Sequence, residues 1–212
     1  MQGTLLLKLV IQTLNSIGRD KVSIMEKFYE LQPDIFAKYV PRITQDLSNG
    51  ASFRLGTLIQ ESLVLPLKFS TRHSGLEPPK GMYDCVVPVM SDELINALQN
   101  AGVENLQCFP AELESNIDGT VWKNFQAVNV VGIKSCADLD ASEFTHIADR
   151  PGKNALPLVA FEDLKIDPSR ASGSLLFKLA ESPGIVIVAG SVINYLRTQK
   201  SDEEWGITVD KR

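Results

Sequence analysis

FQAVNVVGIKSCADLDAS, residues Phe125 to Ser142, joins an apolar run to a short acidic turn. Between Ala127 and Ile133 only Asn129 and Gly132 interrupt the apolar side chains. Such a run, rich in valine, predicts a buried strand, central to its sheet. The turn Ala137-Asp138-Leu139-Asp140-Ala141-Ser142 follows at once, where polar side chains are needed.

C-terminal to this block, Leu156 to Ile166 predicts a short strand among loops. Leu175 to Ala180 predicts a short strand or helical turn, and Ile185 to Ala189 a strand. Ser191 is placed to cap a helix whose inner face carries Val192, Ile193 and Leu196, with Arg197 and Lys200 near its end. Ile207 to Val209 reads as a last strand. N-terminal to the block, Tyr83 to Val89 and Asn105 to Leu113 predict strands, and Asp118-Gly119 a turn. Between those strands Ser91 caps a helix, with Asp92 and Glu93 at its positive end. Leu94, Ile95, Leu98 and Ala101 line its face, and Gly102 closes it.

The first third of the chain reads differently. Residues 4–17 and Val22 to Leu31 show helical spacing, and a third helical stretch spans Asp34 to Tyr39. Leu58 to Phe69 predicts an extended edge segment because it contains Pro66. Residues 70–81 form the clearest loop, and a subdomain boundary is expected there. The expected class is therefore α+β: a mixed sheet with flanking helices over 81–212, preceded by a mainly helical N-terminal region over 1–80.

With 212 residues, 44% hydrophobic and 22% charged, the chain can bury a substantial core. The formal net charge of -5 argues against general nucleic-acid binding. The charge is uneven. Residues 1–80 hold 10 Lys/Arg and 7 Asp/Glu, a net of +3, whereas residues 81–212 hold 11 and 19, a net of -8. An acidic half can attract a basic partner. Cys85, Cys108 and Cys136 are odd in number and widely spaced, which suits a reducing cytoplasm. The N-terminus lacks a basic leader and a cleavage site, and no apolar stretch approaches the ~20 residues of a membrane span.

The sequence offers little catalytic chemistry. His73 and His146 are the only histidine bases, and no G-x-S-x-G elbow is present. A Cys136–His146 pair is weighed against a buried cysteine and a surface histidine, and the structural reading is favoured. No cysteine or histidine pair has zinc-ligand spacing. Asp138, Asp140, Ser142 and Glu143 alternate oxygen donors but lack the EF-hand spacing, so no metal is expected. Phosphate-cradling loops are missing. The Gly190-Ser191 helix start could accept an anion, though an ordinary cap explains it.

A set of short pieces along residues 80–210 nevertheless resembles one family. In order they are Tyr83-Asp84, Ser91-Asp92-Glu93-Leu94, Leu98, Gly102-Val103 and Phe109-Pro110-Ala111-Glu112-Leu113. Val128-Asn129-Val130-Val131 follows with Ala137-Asp138 and Ser142, then Leu176 to Glu181, Ile185 to Val188 and Gly206 to Val209. Their order and spacing resemble bacterial immunity proteins encoded beside polymorphic toxins, including Rhs-type and type VI secretion effectors. Trp122 stands where the pattern would have a tyrosine-like aromatic, and the resemblance does not extend to residues 1–80. It implies a cytoplasmic protein with no catalytic residues and no cofactor. Its partner would be a cognate toxin effector from an adjacent gene, not nucleic acid or membrane, and homodimerisation would be compatible with it. For such a contact the turn residues Asp138, Asp140 and Glu143 are the expected patch, with Trp122 as aromatic anchor. The alternative is a small enzyme using a carboxylate or Cys–His site, which predicts a pocket where titratable groups converge.

Overall fold

The computed structural model describes residues 26–34, 36–47, 52–84, 86–150 and 156–212. Within them the run at Phe125 lies in a ten-residue strand, β7 (Val121–Val130). It occupies the interior of a six-stranded sheet with β2 (Arg42–Ile43), β3 (Leu67–Thr71), β4 (Met82–Tyr83), β5 (Val89–Ser91) and β6 (Leu106–Ser115). The strand order is β2-β3-β6-β7-β5-β4, antiparallel except for the β3–β6 pair. The apolar run is continuous because both faces of β7 are covered. Phe125 and Ala127 enter one core with Phe53, Ile59, Phe69 and Leu113, whereas Val128 and Val130 enter a larger one.

The run does not continue to Lys134 as one strand. Gly132 has φ +117, a conformation L side chains rarely adopt, and it turns the chain out of the six-stranded sheet. Ile133–Lys134 then forms β8 in a second, five-stranded sheet. This sheet also holds β1 (Phe28–Pro33), β11 (Leu176–Leu179), β12 (Val186–Ala189) and β13 (Ile207–Lys211), in the order β13-β1-β12-β11-β8. Only β8 and β11 run parallel. Asn105 Nδ2 donates to the carbonyls of Val131 and Leu176, tying the end of β7 to the start of β11. A third sheet is the hairpin of β9 (Glu143–Ala148) and β10 (Leu158–Asp163).

Helix α1 (Asp92–Asn100) follows β5 as expected, with the Ser91 hydroxyl accepting from Leu94 N at 3.2 Å. A short turn of helix, α2 (Pro168–Ala171), precedes β11. Helix α3 (Gly190–Gln199) follows β12, and α4 (Asp202–Trp205) leads into β13. Leu94, Ile95 and Leu98 of α1 and Val192, Ile193 and Leu196 of α3 share the large core with Phe28, Phe177 and Trp205. The α+β class therefore stands, with mixed sheets and flanking helices.

Several expectations are corrected. The helix expected over Val22 to Leu31 gives way to strand β1 from Phe28 onward, and the stretch expected to be helical up to Tyr39 is irregular from Phe36. Residues 4–17, and with them the first expected helix, lie outside the described residues. Between residues 26 and 80 the described residues form three strands and no helix. The expected boundary near residue 80 does not separate the sheets. Strand β1 pairs with β12 and β13, and β3 pairs with β6, so the early residues complete both large sheets. Leu67–Thr71 is also interior, between β2 and β6, with Pro66 placed just before it. Tyr83 to Val89 divides into β4 and β5. No helix among the described residues is long and apolar enough to cross a membrane.

Candidate functional site

The acidic turn grows directly out of the second sheet. After β8 the backbone pairs Ala137 with Ile166, and Asp138 N donates to Lys165 O at 2.8 Å. The Asp138 carboxylate then accepts from Ala141 N at 3.2 Å, a side-chain turn that a short carboxylate makes well. Leu139 packs against the large core. Ser142 closes the turn, its hydroxyl accepting from Lys165 N at 2.9 Å. Asp138 and Ser142 are therefore structural, and their oxygens are engaged with backbone amides. Asp140 and Glu143 are exposed, and among the described residues neither forms an ion pair.

Glu143 opens β9, and every residue of this six-residue strand is exposed. Its neighbour β10 is more deeply seated, with Val159 fully buried and Val159 N bonded to Glu181 O at 3.0 Å. The hairpin thus hangs from the body by β10, while among the described residues β9 pairs with nothing but β10. Phe144 meets Phe161 edge-on at 6.0 Å between centroids, and Ile147 remains 57% exposed. The hairpin and the residues bordering its first strand carry the carboxylates Asp140, Glu143, Asp149, Glu162 and Asp163. Lys165 pairs with Asp163 at 2.7 Å, and His146 with Asp149 at 2.9 Å.

Trp122 does not join this patch. It sits half-buried on β7 opposite Leu113 and packs against the smaller core. Eight strand residues separate it from the end of β7, ~26 Å at the usual strand rise. Trp122 thus packs on the smaller core, Leu139 of the turn packs on the larger one, and Phe144 and Ile147 lie on the strand that follows the turn. Glu143 to Ala148 has no strict alternation of apolar and polar residues, so the sequence announced neither this strand nor its exposure.

The Cys136–His146 pair weighed as a nucleophilic site is not formed. Cys136 is fully buried, and burial with the nearby Glu181 carboxylate pushes its thiol up to about 12. His146 is exposed and faces Asp149. A thiol so protonated and hidden from solvent is a poor nucleophile. Among the described residues no three His, Cys, Asp or Glu side chains gather as metal ligands would. The start of α3, weighed as an anion position and read as an ordinary cap, is filled from within. Glu26 Oε1 accepts from Ser191 N at 2.9 Å, so Glu26 caps the helix that Ser191 was expected to cap. Titratable groups do converge in a cavity between the two large sheets, as Lys178, Arg54, Asp84 and Glu30, with Asp84 paired to Arg54 at 3.1 Å and Glu30 to Arg212 at 2.6 Å. No protein-family model and no curated protein matches the chain.

Proposed function

We propose that this protein is a non-catalytic immunity protein that binds a cognate bacterial toxin effector and occludes its active site, with the β9–β10 hairpin as its docking element. The observation that carries the reading is strand β9, exposed along its whole length and, among the described residues, open along one edge. An open edge offers unpaired amides and carbonyls for strand addition by a partner. Phe144 and Ile147 supply apolar anchors there. The surrounding carboxylates select a partner surface rich in lysine and arginine, as a nuclease or another polyanion-acting toxin would carry, and they speed the encounter. The net of -8 over residues 81–212 points the same way.

The test is co-expression with the product of the neighbouring toxin gene. The wild-type protein restores growth, and a folded Asp140→Lys/Glu143→Lys/Ile147→Lys variant does not. Failure of the wild type to restore growth would sink the immunity reading. Full rescue by the triple variant would remove the hairpin from it.

A further inference from the structure

The β2 side of the six-stranded sheet carries a second exposed surface, opposite in charge to the hairpin. A cleft of about 1100 Å3 opens beside this edge strand. Tyr39, Val40, Arg42, Arg72, Val86 and Asn116 are among its lining residues, and among the described residues no carboxylate lines it. Arg42 belongs to β2, opposite Ser70 of β3, and Arg72 directly follows β3. Both arginines are exposed, and among the described residues neither forms an ion pair. Lys38, the third cation of the cleft, pairs with Glu77 at 3.5 Å.

Apolar side chains accompany these charges. Val86 is 73% exposed and Val40 49%. Leu76, next to Glu77 in the chain, is 99% exposed. A fixed turn holds it out: Ser74 and Glu77 exchange backbone hydrogen bonds, and Gly75 N donates to the Asp118 carboxylate at 2.8 Å. Pre-positioned aliphatic side chains beside unpaired guanidinium groups have the character of an interface.

An occupant of this cleft needs carboxylates and apolar side chains on a projecting segment. The molecule itself carries such a segment. Asp140 and Glu143 are exposed and, among the described residues, form no ion pair, and Phe144 and Ile147 follow them on β9. Two unpaired carboxylates thus match two unpaired arginines. Among the described residues no ion pair joins hairpin and cleft within one chain. The two surfaces differ, so docking one on the other is heterologous and leaves a free hairpin at one end and a free cleft at the other.

We propose that the protein self-associates head to tail, with the β9–β10 hairpin of one copy seated in the Arg42–Arg72 cleft of the next. Asp140 and Glu143 pair with the two arginines, and Phe144 and Ile147 cover Val40 and Val86. A single hairpin buries less than the ~800 Å2 per partner of a standard stable interface, so the association is weak and reversible. It does not rest on the toxin reading, because it needs the protein alone.

Sedimentation velocity on the full chain, from ~10 μM to ~1 mM, tests this. The average mass rises with concentration without levelling at a dimer, and the association weakens at least tenfold between ~0.05 and ~0.5 M salt. Arg42→Gln/Arg72→Gln and Asp140→Asn/Glu143→Gln each stay monomeric. Their equimolar mixture forms a 1:1 dimer that grows no further, because one intact hairpin meets one intact cleft. Lys211→Gln, exposed on the other large sheet, leaves self-association unchanged. All the altered side chains are exposed, and urea unfolding verifies that each variant folds. A wild type that stays monomeric at ~1 mM, a dimer that closes, equal association at both salt concentrations, or a mixture that stays monomeric overturns the proposal. A monomeric wild type that still restores growth beside the toxin overturns self-association and leaves the toxin reading standing.

Discussion

Gln107 and Asn129 face each other across β6 and β7, and together they hold residues 57–59 onto the smaller core. Gln107 Oε1 accepts from Ile59 N at 2.9 Å, and its Nε2 donates to Ile59 O at 2.8 Å. Asn129 Nδ2 donates to Thr57 O at 2.8 Å and to Gln107 Oε1 at 3.0 Å. Removing Gln107 leaves a backbone amide, a carbonyl and half of Asn129 without partners. Gln107→Ala is expected to destabilise by ~1–3 kcal/mol in urea unfolding. In the sequence Asn129 looked only like a break in an apolar run, because its partners lie 22 and 72 residues away.

His73 carries a second residue-level prediction. Its Nδ1 faces Glu77 O at 3.1 Å, and a carbonyl only accepts, so Nδ1 holds the proton. Nε2 therefore accepts from the Tyr83 hydroxyl at 2.8 Å, which in turn accepts from Lys80 N at 2.8 Å. The chain is complete with a neutral ring. Burial lowers the His73 pKa from its usual 6.5, against weaker opposing effects from Glu77 and Tyr39, and raises that of Tyr83 to about 12. A histidine depressed in the folded state contributes stability fully above 6.5, and that stability is lost as pH falls through the folded pKa. The urea midpoint should drop on acidification below pH ~6.5, and a His73→Gln variant should show a flatter profile over the same window.

Among the elements, α1 was the most legible. Its cap, acidic first turn, apolar face and Gly102 stop are all local, so a window of a dozen residues contains the whole signal. Helix α3 was half legible. Its apolar face follows from spacing, but its cap comes from Glu26, 165 residues earlier. Strand β1 was misread because Phe28 and Leu31, three residues apart, also suit a helix. Its pairing with β12 and β13 decides the matter. At the crossover, Gly132→Ala would place a Cβ on a backbone at φ +117. Such a change is expected to cost ~1 kcal/mol or more, read as a lower melting temperature. Open space at this position, with only Asn105 Nδ2 at 3.6 Å, makes backbone strain and not collision the cause.

For the whole molecule, the relevant quantity is where charge and unpaired backbone coincide. The carboxylates of the hairpin belong to a strand pair whose β9, among the described residues, is paired on one edge only, within the chain's more acidic portion. Asp140→Lys/Glu143→Lys should therefore slow association with a basic toxin by roughly tenfold at low ionic strength, with the difference shrinking as salt is added. Both side chains are exposed, so the unfolding midpoint should stay within ~0.5 kcal/mol of wild type. Stopped-flow binding across a salt series, beside urea unfolding, separates the two effects.

Local order was written in the chain: the strands at Leu106, Phe125 and Val186, the helices after Ser91 and Gly190, and the α+β class they imply. Periodicity, caps and glycine stops act within a few residues, and short-range sterics and hydrogen bonds suffice to specify them. Which sheet each strand joins, the exposure of β9, the packing of Trp122 on the smaller core, and the buried Lys178 beside Arg54 and Asp84 arose only on assembly. Those outcomes depend on contacts between residues up to 182 positions apart, such as Glu30 with Arg212. Burial and charge balance are set by everything that packs around a side chain, and no window of neighbours in the chain contains that information.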